Sequence, residues 1–327
     1  MHKIYAIVVL GIIFSFSVPV SANQTPEDIL NAIVKVKASV PQDAYTARIL
    51  GTEREGNGVV IDDRGHILTI GYLILEATSI EVHHVQGDPV SARFVAYDYE
   101  TGFGILRADP PLSVKPIKLG QSSQLKEGDP VLMVGFGGAE EVLGSRVVSR
   151  KAFAGYWEYL LENAIYTSPP YANYGGAALI DNKGELLGIG SIFTQLSFTG
   201  LGIMPCNMSV PIDLLKPILA DLIEKGRSDK PPQPWLGVHA DESHGRVFII
   251  RLTPGGPAEK AGIKVGDIIL AVDQTPVKGL ADFFRQIGRL GSAGVKVPLS
   301  ILQATEIRRI SVVSADRYQF LQISRQR

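Results

Sequence analysis

The sequence predicts a mostly β chain: a barrel or sandwich of many short strands, followed by a compact α+β unit. Three observations carry this reading. Short apolar runs recur between turn signals from residue 34 to 191. Glycine and proline are frequent, 34 and 20 in 327 residues, as a chain that reverses often requires. A helical pattern and a proline-rich stretch then part the strand-rich region from the remainder.

The elements follow in order. Residues 1–22 read as an export signal: Lys3 gives the positive start, 4–18 is apolar, and Val20-Ser21-Ala22 is a small-residue cleavage site. The apolar run is short beside the ~20 residues of a spanning helix, and an uncleaved membrane anchor is the alternative. The mature chain then begins near Asn23, in the periplasm or secreted. Thr25-Pro26-Glu27-Asp28 opens a short helix with a cap, a proline at the first helical position and acids in the first turn. Strands are expected at 34–38, 58–61, 66–70, 80–84, 92–96, 104–107, 130–134, 177–180 and 186–191. Turns such as Asp62-Asp63-Arg64-Gly65 and Asp181-Asn182-Lys183-Gly184 join them. Apolar residues at 214, 215, 218, 219, 222 and 223 predict a helix over 212–225, stopped by Gly226. Residues 227–234, with Pro231, Pro232 and Pro234, form a stiff linker. Beyond it come a short helix ended by Gly262, a strand at 266–273, a one-faced helix at 280–290 and a hairpin at 295–302 and 307–313.

Composition removes several functional classes. Lys+Arg 32 against Asp+Glu 33 leaves a net charge of -1 and no basic run, so nucleic acid is not an expected partner. The single cysteine, Cys206, excludes an intrachain disulfide framework and multi-cysteine metal sites; no metal or other cofactor is expected. His83 and His84 are neighbours on a strand and point to opposite faces, which prevents joint ligation. His66 follows a hairpin turn and is expected at the surface. His239 and His244 are expected to flank a loop. Gly135-Phe136-Gly137-Gly138 lacks the Lys-Ser/Thr of a phosphate loop.

Several stretches together resemble one family, in collinear order. They are residues 56–69 with Gly58-Val59-Val60-Ile61, residues 116–134, Asn173-Tyr174-Gly175-Gly176-Ala177, Leu186-Leu187-Gly188-Ile189-Gly190, and Ser209-Val210-Pro211. They are similar to the HtrA (Deg) trypsin-like serine proteases with a C-terminal PDZ domain. The resemblance implies a trypsin-like double six-stranded β-barrel over 23–226, the linker, and an α+β PDZ domain over 235–327. It also implies a cleft with a Ser-His-Asp triad, which needs a nucleophile, a base and an orienting carboxylate. The matching slots hold Tyr72 for the histidine, Gly102 for the aspartate and Tyr174 for the serine, while Ala172 replaces the oxyanion-hole glycine. A phenol with a pKa near ~10 is a poor base at neutral pH, and glycine orients nothing. The expectation is therefore a pseudoprotease whose two tyrosine rings fill the cleft.

Trp235-Leu236-Gly237-Val238 resembles the family's carboxylate-binding loop. Successive amides in a glycine-containing turn cradle a peptide's C-terminal carboxylate, and the next strand adds the peptide as a β-strand. His239 and the Phe284/Ile287 helix face would supply the pockets. Peptides or protein C-termini are thus the expected partners. Two alternatives are an active serine endopeptidase in protein quality control and a structural subunit assembling with active homologues. The family's homotrimers use N-terminal aromatics, of which residues 23–53 hold only Tyr45, which speaks against the trimer; a homo-oligomer of another kind or a hetero-oligomer with active homologues is the expected assembly.

Overall fold

The structure, a computed structural model, describes residues 24–85, 87–200 and 202–320; the expected export signal lies outside them. Helix α1 (Pro26–Asn31) starts as the sequence requires. Thr25 Oγ1 accepts from the Asp28 amide, and the Asp28 carboxylate accepts from the Thr25 amide, a reciprocal cap. Six strands then close the first barrel: β1 (Ile33–Ser39), β2 (Glu53–Val60), β3 (His66–Ile70), β4 (Ser79–His83), β5 (Val90–Tyr97) and β6 (Phe103–Asp109). A short helix, α2 (Ala47–Leu50), bridges β1 and β2. Ile33, Ile67, Leu68, Phe103, Ile105 and Leu106 are fully buried.

The second barrel closes from β7 (Pro130–Val134), β8 (Val142–Gly155), β9 (Tyr159–Ser168), β10 (Ala178–Ile180), β11 (Leu186–Phe198) and β12 (Gly202–Pro211). Closure leaves no unpaired sheet edge in either barrel. Strands β8, β9 and β12 have no counterpart among the expected ones. The helix expected over 212–225 is broken: a 3-10 turn at Ile212–Leu214 precedes α3 (Leu219–Lys225). Pro217 lies between them and cannot donate to an α-helical ladder. Gly226 ends α3 in the left-handed region as expected. His66, expected at the surface, is buried, its Nδ1 2.6 Å from Asp62 Oδ2.

The C-terminal unit is a sheet in the order β13-β14-β15-β17-β18, formed by β13 (Val238–Ser243), β14 (Arg246–Leu252), β15 (Ile268–Val272), β16 (Thr275–Pro276), β17 (Lys296–Gln303) and β18 (Glu306–Val313), with β16 on β15. Two helices, α4 (Pro257–Lys260) and α5 (Leu280–Arg289), cover it, and Phe283 of α5 is fully buried. His239 therefore sits on a strand and not beside a loop. Strand β13 is an edge, the property that lets a sheet accept another strand. The chain then returns to the first barrel. The Tyr318 hydroxyl donates to the Tyr97 carbonyl at 3.0 Å, and Arg317 lies over the Tyr99 ring at 4.7 Å.

Candidate functional site

Two sites follow from the expected residues, and the structure sets them side by side. Tyr72 occupies the turn directly after β3. Its hydroxyl crosses to the second barrel and donates to the Ser191 carbonyl at 2.8 Å. Burial, with a smaller contribution from Tyr174, drives its pKa well above the ordinary phenol value. The Tyr72 proton is thus held in a hydrogen bond and the phenolate is disfavoured, the reverse of what a general base needs.

Gly102 lies beneath this turn, its carbonyl accepting from the Gly71 amide at 2.8 Å. Its φ is +83°, where any side chain is strained, although a Cβ would meet the Tyr159 hydroxyl only at an ordinary 3.4 Å. Tyr174 is half-buried, with its backbone carbonyl pressed on Gly190 so closely that a Cβ there would lie 2.2 Å away. Ala172 is exposed and stays out of the left-handed region. Asn57, whose role the sequence did not disclose, holds this loop in place. Its Nδ2 donates to the Asn173 carbonyl at 2.6 Å, while its Oδ1 accepts from the Phe136 amide at 2.8 Å.

The two tyrosine rings do not fill the cleft. They share a cavity of about 640 Å³ with Tyr45, Leu50, Trp157 and Phe193, among others. The cavity lies between barrel residues and Trp235, Val238 and His239 of the C-terminal unit. His239 lines this cavity, 2.9 Å from Arg251 Nη2. Burial foremost, then Arg251 and Arg317, brings its pKa down to about 4, so the imidazole is neutral at neutral pH.

The expected carboxylate loop does hold a carboxylate. The amides of Leu236 and Val238 donate to Glu158 Oε2 and Oε1 at 2.8 and 2.6 Å. Gly237 between them has φ +78°, and an added Cβ would stand 3.3 Å from both Thr253 and the Trp235 ring, so glycine is required there. Glu158 belongs to the turn joining β8 and β9, where Gly155 pairs with Tyr159. On the free edge of β13, the Ala240 amide donates to the Tyr156 carbonyl at 2.8 Å. Trp235, Leu236, Val238 and His239 are buried, as is Ile287, while Phe284 is half-buried. Phe284 and Ile287 do not join His239 in one pocket; they line a separate cavity of about 460 Å³ that Glu158 also borders. The β8–β9 hairpin contributes to both cavities.

Comparison with known proteins agrees with this architecture. A trypsin-like peptidase domain matches residues 56–189, and a PDZ domain matches residues 234–313. The periplasmic serine endoprotease DegP of Escherichia coli (strain K12) is 28% identical over 262 residues, 76% of this chain and 54% of DegP. Protease Do-like 1, chloroplastic, of Arabidopsis thaliana is 28% identical over 312 residues, 88% of this chain and 69% of that protein. The chain spans about half the length of its DegP relatives. Among solved structures, the serine endoprotease from Yersinia pestis superposes with a TM-score of 0.54 at 23% identity, over 90% of this chain and 98% of that one. The HtrA-type protease AlgW with decapeptide does so with 0.54 at 21% identity, over 90% and 99%. At such identities the superpositions speak for the fold. With a trypsin-like double barrel and a PDZ domain in this order, the chain belongs to the HtrA/DegP family of trypsin-like serine proteases with a C-terminal PDZ domain.

Proposed function

We propose that this is an exported pseudoprotease that recognises peptides or protein C-termini through its PDZ domain without cleaving them. The observation that carries the binding half is the convergence of the Leu236 and Val238 amides on one carboxylate. A loop that receives a side-chain carboxylate with two amides offers the same donors to a terminal one. The loss of hydrolysis is supported by the chemistry in the triad slots. The Tyr72 hydroxyl keeps its proton and donates a hydrogen bond to the Ser191 carbonyl, Gly102 has no side chain, and Tyr174 presents a phenol where the family places serine. Export is supported by the periplasmic location in the names of the DegP relatives.

The reading is tested by titrating the full chain with an apolar-ended peptide as free acid and as C-terminal amide. The free acid should bind in the micromolar range, about -8 kcal/mol, because a flexible peptide loses entropy on ordering. The amide should bind far more weakly, since its terminal NH2 cannot accept from a loop amide where a carboxylate oxygen does. Equal binding of the two would remove the loop as the site. Unfolded casein incubated with the protein should remain intact, and a serine-directed phosphonate should leave it unlabelled.

A further inference from the structure

We infer that the turn joining β8 and β9 is a resident internal ligand of the PDZ groove, with Glu158 in the place of a peptide's C-terminal carboxylate. A peptide would then bind by displacing this turn. The inference rests on the reading of residues 235–238 as a carboxylate site and adds what occupies it in the closed molecule.

The contacts reproduce the elements of a bound peptide. The Glu158 carboxylate bridges the Leu236 and Val238 amides. Two residues earlier, the Tyr156 carbonyl accepts from Ala240 on the free edge of β13, a main-chain bond of the kind an added strand makes. The Tyr156 ring lies 5.9 Å from the His239 ring, where a ligand side chain would sit. Arg285 of α5 forms a two-point pair with Glu162 of β9, at 2.7 and 2.8 Å, so the hairpin touches the helical wall of the groove as well. Arg317 donates to the Glu158 carbonyl at 3.2 Å.

Backbone geometry gives an independent reason. Glu158 has φ +54°, a conformation that glycine adopts freely and a glutamate rarely. Three-residue hairpin loops often place their left-handed residue at this last position and favour glycine there. A glutamate held in an unfavourable conformation, with its carboxylate in an amide cradle, is better explained by what its side chain binds than by the turn itself.

The geometry also defines the ligand. A competitor needs a free carboxylate for residues 236–238 and an extended backbone for β13. An aromatic side chain two residues before its terminus would replace Tyr156 over His239.

The test compares the wild-type full chain with Glu158→Gly and Glu158→Gln. Glycine suits the turn, so the hairpin keeps its fold while losing its carboxylate; glutamine keeps the shape but puts an NH2 group, which cannot accept, where one of the two accepting oxygens stood. Amide hydrogen exchange at Leu236, Val238 and Ala240 should be slow in the wild type and accelerate at least about tenfold in Glu158→Gly, with Glu158→Gln between. A free-acid peptide ending in an aromatic-X-apolar sequence should bind Glu158→Gly about tenfold more tightly than wild type, because the closed population no longer competes. If exchange at these amides is equally slow in all three proteins, or the peptide binds wild type and Glu158→Gly equally, the internal ligand is refuted while the peptide site stands. If the free acid and its amide bind Glu158→Gly alike, the reading of the loop as a carboxylate site fails, and the inference with it.

Discussion

On the proposed reading, the local geometry of Tyr72 and Gly102 opposes a gain of hydrolysis by simple restoration of the triad residues. The Tyr72 hydroxyl ties the first barrel to the Ser191 carbonyl of the second, so Tyr72→Phe should cost about 1 kcal/mol of stability, the net worth of one hydrogen bond. Thermal unfolding of the two proteins measures this; an unchanged Tm would mean that the bond contributes nothing. Restoring the triad is a harder test. Tyr72→His, Gly102→Asp and Tyr174→Ser should each leave the protein inactive, because triad members act as a unit. The triple variant should stay inactive too. An aspartate at φ +83° is strained, and removing the Tyr72 bridge loosens the contact between the barrels. Turnover of a fluorogenic peptide by the triple variant would contradict this argument. Tyr174 borders a cavity and not a packed core, so Tyr174→Ala should lower Tm by less than the ~3–5 kcal/mol of a fully packed aromatic would imply.

At the scale of elements, the hairpin β8–β9 does more than complete a barrel. Glu162 and Arg285 are its lateral tie to α5, but both side chains are substantially exposed, at 54% and 34%. Exposed pairs are worth about 0.2–1 kcal/mol, so Arg285→Ala should weaken docking only slightly. A double-mutant cycle of Arg285→Ala with Glu162→Ala, read by amide exchange at Ala240, should return a coupling within that range. A larger value would make this pair, and not Glu158, the principal tie. The same hairpin marks where sequence reading stopped. Strands β3 and β7 were legible to the residue because they are short, mostly apolar and bounded by turns. Strand β8 was not: irregularities at Val147/Ser149 and Lys151/Phe153 break its alternation. In β12 the buried positions include Asn207 and Ser209, whose polarity disguises an interior strand; Asn207 is satisfied by the Tyr171 amide at 2.6 Å. The places of the cleft tyrosines and of the 235–238 loop could be read because the motifs around them are local in sequence; the roles given to them belong to the proposed function. Glu158 was not, since its partners stand 78 and 80 residues away and no periodicity records such a meeting.

The whole molecule couples these parts through one titrating group. Burial pushes the Glu158 carboxyl up to about 7 from its ordinary 4.5, against the lowering effect of the Leu236, Val238 and Gly237 amides and of Arg317. Arg317 is the charged side chain whose field reaches it, and it is fixed in turn over the Tyr99 ring of the first barrel. The sign follows from linkage. A raised carboxyl pKa means that the closed molecule binds a proton more tightly than the open one, in which Glu158 meets water. Docking is therefore strongest below the ordinary pKa and weakens as pH rises through the window from 4.5 to about 7; above that window no further change is expected from this group. The undocked population of the hairpin should rise in the same direction. The limiting increase between about pH 6 and about pH 8 is about tenfold for a group with these two pKa values. Amide exchange at Ala240, which donates to Tyr156 in the docked hairpin, measures the profile once corrected for the intrinsic exchange rate at each pH, and Glu158→Gln should flatten it. A wild-type profile that is already flat, or that Glu158→Gln leaves sloping, would place the pH-sensitive group elsewhere in the molecule.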